Sequence, residues 1–370
     1  MAYPSLFRVV SLFCAASCAL TAYASPLAAR APPLVPHVNG ASIDISPNAD
    51  GAYPRLAQLS DGTFLGTYAT TNNGVRQLTV SRSTDGGKTF SALGSIAEAS
   101  GDLDNAFLLQ RADGAVVAAY RNHDLDANRN PTYYRITASL SRDGGANWEF
   151  LTQIAERAAA TDRKNGIWEP FLRLAADGQT LQVYYASENN NDDQDILMQT
   201  STDGGQSWGN PSTVAGATTT GRDGMPGVAE YDGGIICIFE TTEARNGKFW
   251  VKSVTSTDDG ANWDNRSLVY GPSDTSRNAG APQIVTTSQG TLVASFMTDE
   301  DATQTGWPDV GASFKIMTNT PGGEWGHKTE VSGIQSSWPG LFAKDDGTVL
   351  GCSGHSGEGS VCHEITFTDA

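Results

Sequence analysis

The stretch STDGGQSW, residues 201–208, recurs in nearly the same form at three other places in the chain. The shared pattern is Ser-x-Asp-x-Gly-x-x-aromatic. The four copies are Ser83–Phe90, Ser141–Trp148, Ser201–Trp208 and Ser256–Trp263, and a decayed fifth copy, Thr318–Trp325, has Thr320 in place of the aspartate. The aspartate can accept backbone N–H groups, the glycine permits a tight turn, and the aromatic ring can pack between neighbouring elements. We interpret the pattern as a structural turn, because a catalytic or metal site would not need four copies.

A second repeat alternates with the first. Six segments of ten residues have proline or alanine at the second position and glycine at the tenth, and a β-rich run follows each of them. The six segments are Tyr53–Gly62, Asn105–Gly114, Glu169–Gly178, Met225–Gly234, Ala281–Gly290 and Trp338–Gly347. This arrangement predicts a strand, a tight turn and a second strand in each copy. Six copies with about four short strands each predict an all-β, six-bladed β-propeller.

The last copy ends after three strands. The segment HVNGASIDIS, residues 37–46, precedes the first copy and can supply the missing outer strand. Such pairing would close the ring and leave no free edge. We therefore predict a single propeller domain over residues 37–370, closed by an N-terminal strand, with no linker and no second domain.

The N-terminus has the pattern of a secretory signal peptide, predicted over residues 1–24. Arg8 supplies the positive start, residues 9–20 form a short apolar run, and Ala22-Tyr23-Ala24 fits the small-x-small cleavage rule. Residues 25–36 would form a short extension. The apolar run is too short to span a bilayer. We expect a secreted, extracellular protein that acts as a monomer.

Net charge and short motifs limit which binding partners, modifications and cofactors we expect. The formal charge of −17 and a pI near 4.6 argue against nucleic acid or an anionic membrane as a partner, and favour a neutral substrate. Cys352 and Cys362 flank a Gly/Ser-rich hairpin and are predicted to form a disulfide bond. Asn265, in Asn-Arg-Ser, is the predicted glycosylation site. The five histidines show no metal-binding spacing and no phosphate loop is visible, so we expect neither a metal nor another cofactor.

Two glutamates depart from the repeat. Glu169 begins the first strand of blade three, where the other copies have neutral residues. Glu240 lies six residues after the turn glycine of blade four. Six residues after their own turn glycines, the other five copies have Tyr68, Tyr120, Tyr184, Phe296 and Ser353. Because the two strands of each hairpin are antiparallel, both glutamates should face the same mouth of the central channel. A pair of carboxylates on a concave, partly apolar rim is what glycoside hydrolysis requires, although solvated glutamates or arginine-paired glutamates are the alternative.

Aromatic and planar polar side chains around this mouth are candidates for sugar binding. Each of them could instead be a loop or packing residue. The candidates are Tyr53, Asn105, Arg121, Asn122, Asn189, Arg222 and Trp338.

The turn repeats resemble the Asp-boxes of sialidase-like propellers. The pairing of NGIWEPF with CIFETTE, residues 165–171 and 237–243, resembles glycoside hydrolase family 93, the exo-α-1,5-L-arabinanases. This resemblance implies release of arabinobiose from the non-reducing end of linear arabinan, a neutral plant cell-wall polysaccharide, with retention of configuration. It also implies that Glu169 and Glu240 are the catalytic pair.

Two other functions stay open. A sialidase would share the fold, but it should have three arginines for the sugar carboxylate and an early Arg-Ile-Pro-type motif, where this chain has Tyr-Pro-Arg-Leu at residues 53–56. A non-catalytic lectin would be expected to repeat its sugar site in every blade, whereas the polar residues here differ from blade to blade.

The surroundings of the glutamates suggest their roles. Trp168 and Pro170 give Glu169 a dry setting that favours the protonated form, so we expect it to be the general acid/base. Thr241 and Thr242 offer hydroxyls that could keep Glu240 ionised as the nucleophile. The reverse assignment is the alternative.

Overall fold

Each sequence repeat folds as one antiparallel sheet of four strands. The structure is a computed structural model that describes residues 34–243, 246–303, 306–308 and 311–369. Six such sheets surround a central channel, which confirms the predicted six-bladed β-propeller. The predicted signal peptide and most of the predicted extension lie outside the described residues.

Blades one to five are continuous in sequence, and the first strand of each lines the channel. Blades one to three are β2 Ala52–Gln58, β3 Phe64–Asn72, β4 Val75–Ser83 and β5 Ser91–Ala99; β6 Asp102–Gln110, β7 Val116–Leu125, β8 Pro131–Ser141 and β9 Glu149–Ala158; β10 Ile167–Leu174, β11 Leu181–Glu188, β12 Gln194–Ser201 and β13 Ser212–Ala215. Blades four and five are β14 Gly224–Tyr231, β15 Gly234–Thr241, β16 Trp250–Ser256 and β17 Asp264–Tyr270; β18 Ala279–Thr286, β19 Leu292–Thr298, β20 Ser313–Asn319 and β21 Gly326–Ser332.

Blade six joins the two ends of the propeller chain. It consists of β22 Ser336–Ala343, β23 Val349–His355, β24 Gly359–Thr368 and the N-terminal strand β1 Val35–Asp44. In β1, Val38 pairs with Ile365 and Ile43 pairs with Cys362. This pairing confirms closure of the ring by the N-terminal segment, with the strand beginning two residues earlier than the predicted segment.

The hydrophobic core lies between the blades. Successive strands carry aliphatic and aromatic side chains on both faces, because every blade is covered by a neighbour on each side. Between blades two and three, for example, Val117 and Ile136 pack with Leu172 and Val183. The stacking of blades against one another holds each first strand in place at the channel.

The Asp-box turns have the predicted structural role. In the copy that follows β12, the backbone N–H of Gly205 donates to Ser201 Oγ at 2.8 Å, and that of Ser207 donates to Asp203 Oδ1 at 2.9 Å. The Trp208 indole N–H donates to the carbonyl of Gly205 at 3.2 Å. The aspartate therefore satisfies backbone donors of its own turn.

The predicted disulfide is present between Cys352 and Cys362. The two residues lie directly opposite each other on β23 and β24, inside the closing blade. Cys237, the other described cysteine, is a buried free thiol.

Candidate active site

Six equivalent residues, one from each first strand, form a ring around one end of the channel, and we name them the ring residues. Each ring residue has a left-handed backbone conformation, which costs a residue with a side chain about 1–2 kcal/mol. Their φ angles are +53° at Tyr53, +56° at Asn105, +46° at Glu169, +51° at Met225, +49° at Ala281 and +58° at Trp338. A conformation repeated six times is a property of the fold, and the catalytic candidate Glu169 occupies one of its positions.

The left-handed conformation belongs to a β-bulge in each blade. In blade three, Trp168 pairs with Ala186 and Phe171 pairs with Tyr184, so that Glu169 and its neighbour stand opposite a single residue. The register of the other five first strands shifts at the equivalent position. Bulges of this kind re-aim a side chain, and here they mark the residue at the channel mouth in every blade.

The ring residues also close the channel. Tyr53, Met225 and Ala281 are buried in one apolar cluster with Met297, and Trp338 packs against it. This cluster joins blades one, four, five and six. Beyond the ring, a cavity of about 990 Å³ opens at the other end of the channel and is lined mainly by aliphatic side chains of the first strands. The two glutamates do not line that cavity, so we place the candidate active site on the ring side.

Glu169 is half-buried at the channel mouth. Burial raises its pKa to about 8, although Arg121 opposes this shift and a backbone N–H from Met225 also favours the ionised form. The charge of Glu240 pushes the pKa of Glu169 further upward, so the two carboxyl groups interact. Near neutral pH, Glu169 therefore holds a proton that it can donate.

Glu240 lies near the end of β15, in the next blade. Burial raises its pKa to about 7, while the backbone N–H of Ala281 and the charge of Arg222 favour its ionised form. The N–H of Ala281 donates to Glu240 Oε2 at 2.7 Å. The pair thus includes one carboxyl group that keeps its proton to a higher pH than the other.

The structural equivalents of Glu240 differ from the residues that counting from the turn glycine predicts. Glu240 pairs with Gly224, and the residues in the same place in the other blades are Ala69, Arg121, Ala186, Met297 and Gly354. The predicted equivalents, Tyr68, Tyr120, Tyr184, Phe296 and Ser353, are therefore wrong by one residue, or by two in blade three. The reason is the length of the hairpin turn: Tyr231 pairs with Gly234 in blade four, whereas longer loops join the two strands elsewhere. A one-residue offset moves a side chain to the other face of a strand.

Arg121 is the centre of a charged network in blade two. Its guanidinium lies 2.9 Å from Asp102 and 3.5 Å from Asp104, and Arg76 also pairs with Asp104. The same guanidinium lies over the Trp168 ring, 5.4 Å from its centroid. Arg121 therefore supports the residue that precedes Glu169 and supplies positive charge near it.

His123 holds the start of β10, the segment that contains Ile167 and Trp168. Burial lowers the pKa of its imidazole to about 4, so the ring is neutral. Its Nε2–H donates to the carbonyl of Ile167 at 2.8 Å, and the ring meets Trp168 edge-on with centroids 4.9 Å apart. The start of β10 is therefore held both by Arg121 and by His123.

Arg222 is anchored in blade three, but keeps a free donor. Its Nη2 donates to Glu188 at 2.7 Å and to Gln194 at 3.0 Å. Nη1 is buried and has no hydrogen-bond partner among the described residues. Because Arg222 lowers the pKa of both Glu169 and Glu240, it lies close enough to act on the pair.

Aromatic side chains cover the opposite part of the mouth. Tyr53 and Trp338 stack with ring centroids 4.5 Å apart and planes 21° apart. Trp307, from the connection between β19 and β20, packs against the same cluster. Blades five, six and one therefore present apolar faces beside the carboxyl pair.

The other predicted sugar-binding residues have different settings. Asn105 is a buried ring residue, and neither atom of its side-chain amide has a hydrogen-bond partner within the described ranges. Asn122 alternates with Arg121 and His123 along β7 and donates to Thr137 on the neighbouring strand. Asn189 lies in the exposed connection after β11, where its amide donates to Asp193. The structure therefore brings Asn105 to the ring, and Asn122 and Asn189 away from it.

Several residues of the site are not among those predicted from the sequence. Asp102, Asp104, Glu188 and Gln194 hold the two arginines, and Trp307 covers the apolar side. A signal for Asp102 and Asp104 exists, since they come just before the ring residue Asn105 and the apolar run of residues 106–109. Trp307 has no such signal, because it comes from a connection outside the repeat.

Within the described ranges, no helix is long and apolar enough to cross a membrane. Among these residues, no cluster of three or more His, Cys, Asp or Glu side chains is arranged to hold a metal ion.

The family of BNR repeat-like domains matches residues 135–325, which is more than half of the 370-residue chain. No curated protein matches the chain. Among solved structures, the α-L-arabinanase of Penicillium chrysogenum in complex with arabinobiose has 22% identity and a TM-score of 0.66, over 88% of this chain and 97% of that chain. The GH93 α-L-arabinofuranosidase of Fusarium graminearum in complex with arabinobiose has 21% identity and a TM-score of 0.67, over 90% and 97%.

A leech intramolecular trans-sialidase is more distant, with 14% identity and a TM-score of 0.57, over 90% of this chain and 70% of that chain. At these identities, the likenesses show a shared fold. They confirm, for the fold, the resemblance to glycoside hydrolase family 93 and to sialidase-like propellers.

Proposed function

The chain belongs to the family of BNR repeat-like domains, and from this premise we propose that it is a secreted, exo-acting glycoside hydrolase. In this proposal it releases arabinobiose from the non-reducing end of linear α-1,5-L-arabinan, with retention of configuration. The observation that carries the proposal is the pair of interacting glutamates at the channel mouth: both have raised pKa values, and a backbone N–H of the next blade favours the ionised form of each.

The mechanism that we propose is a double displacement. Glu169 donates its proton to the glycosidic oxygen while the Glu240 carboxylate attacks the anomeric carbon, so that the C–O bond to the leaving sugar breaks as the glycosyl–enzyme bond forms. The departing sugar takes the proton from Glu169. Glu169, now ionised, removes a proton from water, and the resulting attack on the anomeric carbon releases Glu240. Both carboxyl groups end as they began.

The pKa values support this division of roles. A general acid must be protonated and a nucleophile ionised in the same molecule. Burial raises both pKa values, to about 8 at Glu169 and to about 7 at Glu240, and the charge of Glu240 raises the pKa of Glu169 further, which supports Glu169 as the protonated member of the pair. The N–H of Ala281 further stabilises negative charge on Glu240.

A neutral substrate fits the charges around the mouth. The two arginines nearest the pair are engaged by carboxylates, Arg121 by Asp102 and Asp104, and Arg222 by Glu188. A sialidase would need arginines directed at the sugar carboxylate. The half-buried Trp338, which stacks on the buried Tyr53, instead offers an apolar face of the kind that packs against neutral sugar rings.

The test of this function is product analysis. The full-length secreted protein is incubated with linear arabinan and, separately, with a sialoside, and the products are separated and identified. Arabinobiose as the sole early product from arabinan is expected, with Glu240→Gln as the matched inactive control. Release of sialic acid would overturn the arabinan assignment, and measurable glycan binding without any product would favour a lectin.

Secretion is part of the same proposal. The disulfide between Cys352 and Cys362 is typical of an oxidising compartment, and Asn265, the predicted glycosylation site, is exposed on β17. N-terminal sequencing of protein from the culture medium should begin at Ser25. A mature protein that still carries Met1 would contradict the predicted signal peptide.

A further inference from the structure

The residue that precedes the ring residue varies with the blade. It is Ala52, Asp104, Trp168, Gly224, Gly280 and Ser337 in blades one to six. Glycine occurs there only in blades four and five, which are the blades on either side of the Glu240 carboxyl group. The backbone does not require these glycines, because neither Gly224 nor Gly280 has a positive φ.

The two glycines are explained by the lack of room for a side chain at either position. A Cβ atom built on Gly280 would approach Glu240 Oε2 more closely than Cβ atoms approach other atoms in proteins. A Cβ atom built on Gly224 would lie 3.2 Å from the other carboxylate oxygen, Oε1. The carboxyl group of Glu240 thus occupies the places that two side chains would otherwise fill.

We propose that Gly224 and Gly280 are positioning residues that form a slot for the Glu240 carboxyl group. The slot presents Oε2 to the backbone N–H of Ala281, the residue directly after Gly280. Oε1 lies on the Gly224 side, and in the proposed reaction it is the oxygen that attacks the anomeric carbon. This inference rests on the proposed function for its chemical meaning, while the slot itself is a matter of packing and is tested separately.

The two walls of the slot differ in how closely they approach the Glu240 carboxyl group and in what else they contact. On the Gly280 side, the same Cβ would also lie 3.2 Å from Trp307 Cζ2, so an added methyl group meets a carboxylate and an indole ring together. On the Gly224 side, the nearest atom is Gln194 Nε2, at 2.9 Å, the end of a longer side chain. Because a Cβ at residue 280 would approach the Glu240 carboxyl group more closely than a Cβ at residue 224, a methyl group at residue 280 displaces Glu240 further.

Displacement has a chemical consequence. If Oε2 leaves the Ala281 N–H, the ionised form of Glu240 loses its hydrogen-bond donor, and the attacking oxygen moves away from its line of approach. A misplacement of about 1 Å at a reacting group can lower turnover about 10²-fold. The loss should fall on kcat, since the substitution leaves the proposed sugar-facing side chain, Trp338, in place.

The experiment is a double-mutant cycle measured by thermal unfolding. Gly280→Ala is compared with wild type, and Gly280→Ala in the Glu240→Ala background is compared with Glu240→Ala alone. The slot predicts that the methyl group lowers Tm in the wild-type background and lowers it much less when the carboxyl group is absent. An equal loss of Tm in both backgrounds would overturn the proposal, whatever the substrate proves to be.

Activity supplies the second readout. On linear arabinan, Gly280→Ala should lower kcat about 10²-fold with little change in KM, and Gly224→Ala should have a several-fold smaller effect. Gly326→Ala is the matched control, because Gly326 likewise lies in the first two residues of a strand and an added Cβ there meets open space. Wild-type turnover of arabinan in Gly280→Ala would contradict the positioning role. Lack of arabinan turnover in the wild type would contradict the proposed function and leave the Tm cycle as the test of the slot.

Discussion

The two glutamates of the site are held by different means. Glu169 is a ring residue in a left-handed bulge, whereas Glu240 lies in a regular stretch of β15 between two glycines. Yet the backbone N–H of the ring residue of the following blade favours the ionised form of each, Met225 for Glu169 and Ala281 for Glu240. The propeller thus supplies the same donor twice, through its repeat, to two carboxyl groups that enter the site from different strands.

The difference between them lies in the surroundings. Glu169 is next to Trp168, which contacts both Arg121 and His123. The negative charge of Glu240 raises the pKa of Glu169. Glu240 has the Ala281 N–H and the anchored Arg222 to favour its ionised form. Repetition of the backbone therefore brings the two groups together, and departures from the repeat set their proton affinities.

The largest expected effect comes from removing either carboxyl group. Glu240→Ala should lower turnover of arabinan by about 10⁴-fold or more, as loss of a nucleophile does, and Glu169→Ala by about 10²–10⁴-fold, as loss of a general acid does. Steady-state kinetics on linear arabinan checks this, with circular dichroism to show that both variants are folded. Glu149→Ala, an exposed residue on β9, is the matched control. Near-normal turnover in either active-site variant would contradict its role.

Azide should separate the two glutamates. With an activated aryl arabinoside, azide attacks the anomeric carbon directly in Glu240→Ala and gives the inverted glycosyl azide. In Glu169→Ala, azide attacks the glycosyl–enzyme intermediate and gives the retained product. Nuclear magnetic resonance of the isolated azides distinguishes the two. If the products were exchanged between the variants, the roles would be reversed.

A smaller effect is expected from Arg222. The acid limb of the pH–rate profile reports ionisation of Glu240, and the alkaline limb reports loss of the proton from Glu169. Because Arg222 lowers the pKa of Glu240, Arg222→Gln should move the acid limb to higher pH, while Arg222→Lys, which keeps the charge, should move it less. The profile of kcat/KM measures both limbs. An acid limb that stays in place in Arg222→Gln would show that this charge does not act on the pair.

The smallest expected effect is on stability. The unfolded chain ionises these glutamates near pH 4.3, whereas the folded chain holds their protons to about pH 7 for Glu240 and about pH 8 for Glu169. The folded state therefore binds more protons within this window, and stability falls as the pH rises through it. Glu169→Gln should thus raise Tm by a few degrees at pH 8.5 and change it little at pH 5.

The change in Tm can also be compared between Glu169 and Glu240. Glu240→Gln should raise Tm at pH 8.5 by less than Glu169→Gln does, because its pKa is shifted less. Differential scanning calorimetry at the two pH values is the measurement, with Glu149→Gln as the surface control. A Tm gain that is as large at pH 5 as at pH 8.5 would show that ionisation is not its cause.

The fold could be predicted because its signals are local. The Asp-box turn satisfies its donors within eight residues, as Ser201–Trp208 shows, and the hairpin repeat marks each pair of inner strands. The disulfide between Cys352 and Cys362 joins neighbouring strands of one hairpin. Closure by β1 followed from counting strands in the last repeat.

The site could be predicted only in part, because it depends on contacts between blades. Glu169 can be predicted because every ring residue stands nine residues before the turn glycine of its repeat. Glu240 was found although its assigned equivalents were wrong, because turn lengths differ between blades and counting across a turn loses the register. The pairing of Arg121 with Asp102 and the approach of Trp307 to Gly280 join residues that only the folded chain brings together.

The ring residues make the channel mouth a well with one opening. Tyr53, Asn105, Met225 and Ala281 are exposed by 9%, 6%, 2% and 0%, so the bottom of this well is sealed by side chains. For the proposed reaction, a polysaccharide cannot thread through the propeller, and the released disaccharide leaves by the path along which the chain end entered. Each turnover is then a separate encounter. The initial rate should follow the molar concentration of chain ends, and at equal mass a short arabinan should be consumed faster than a long one.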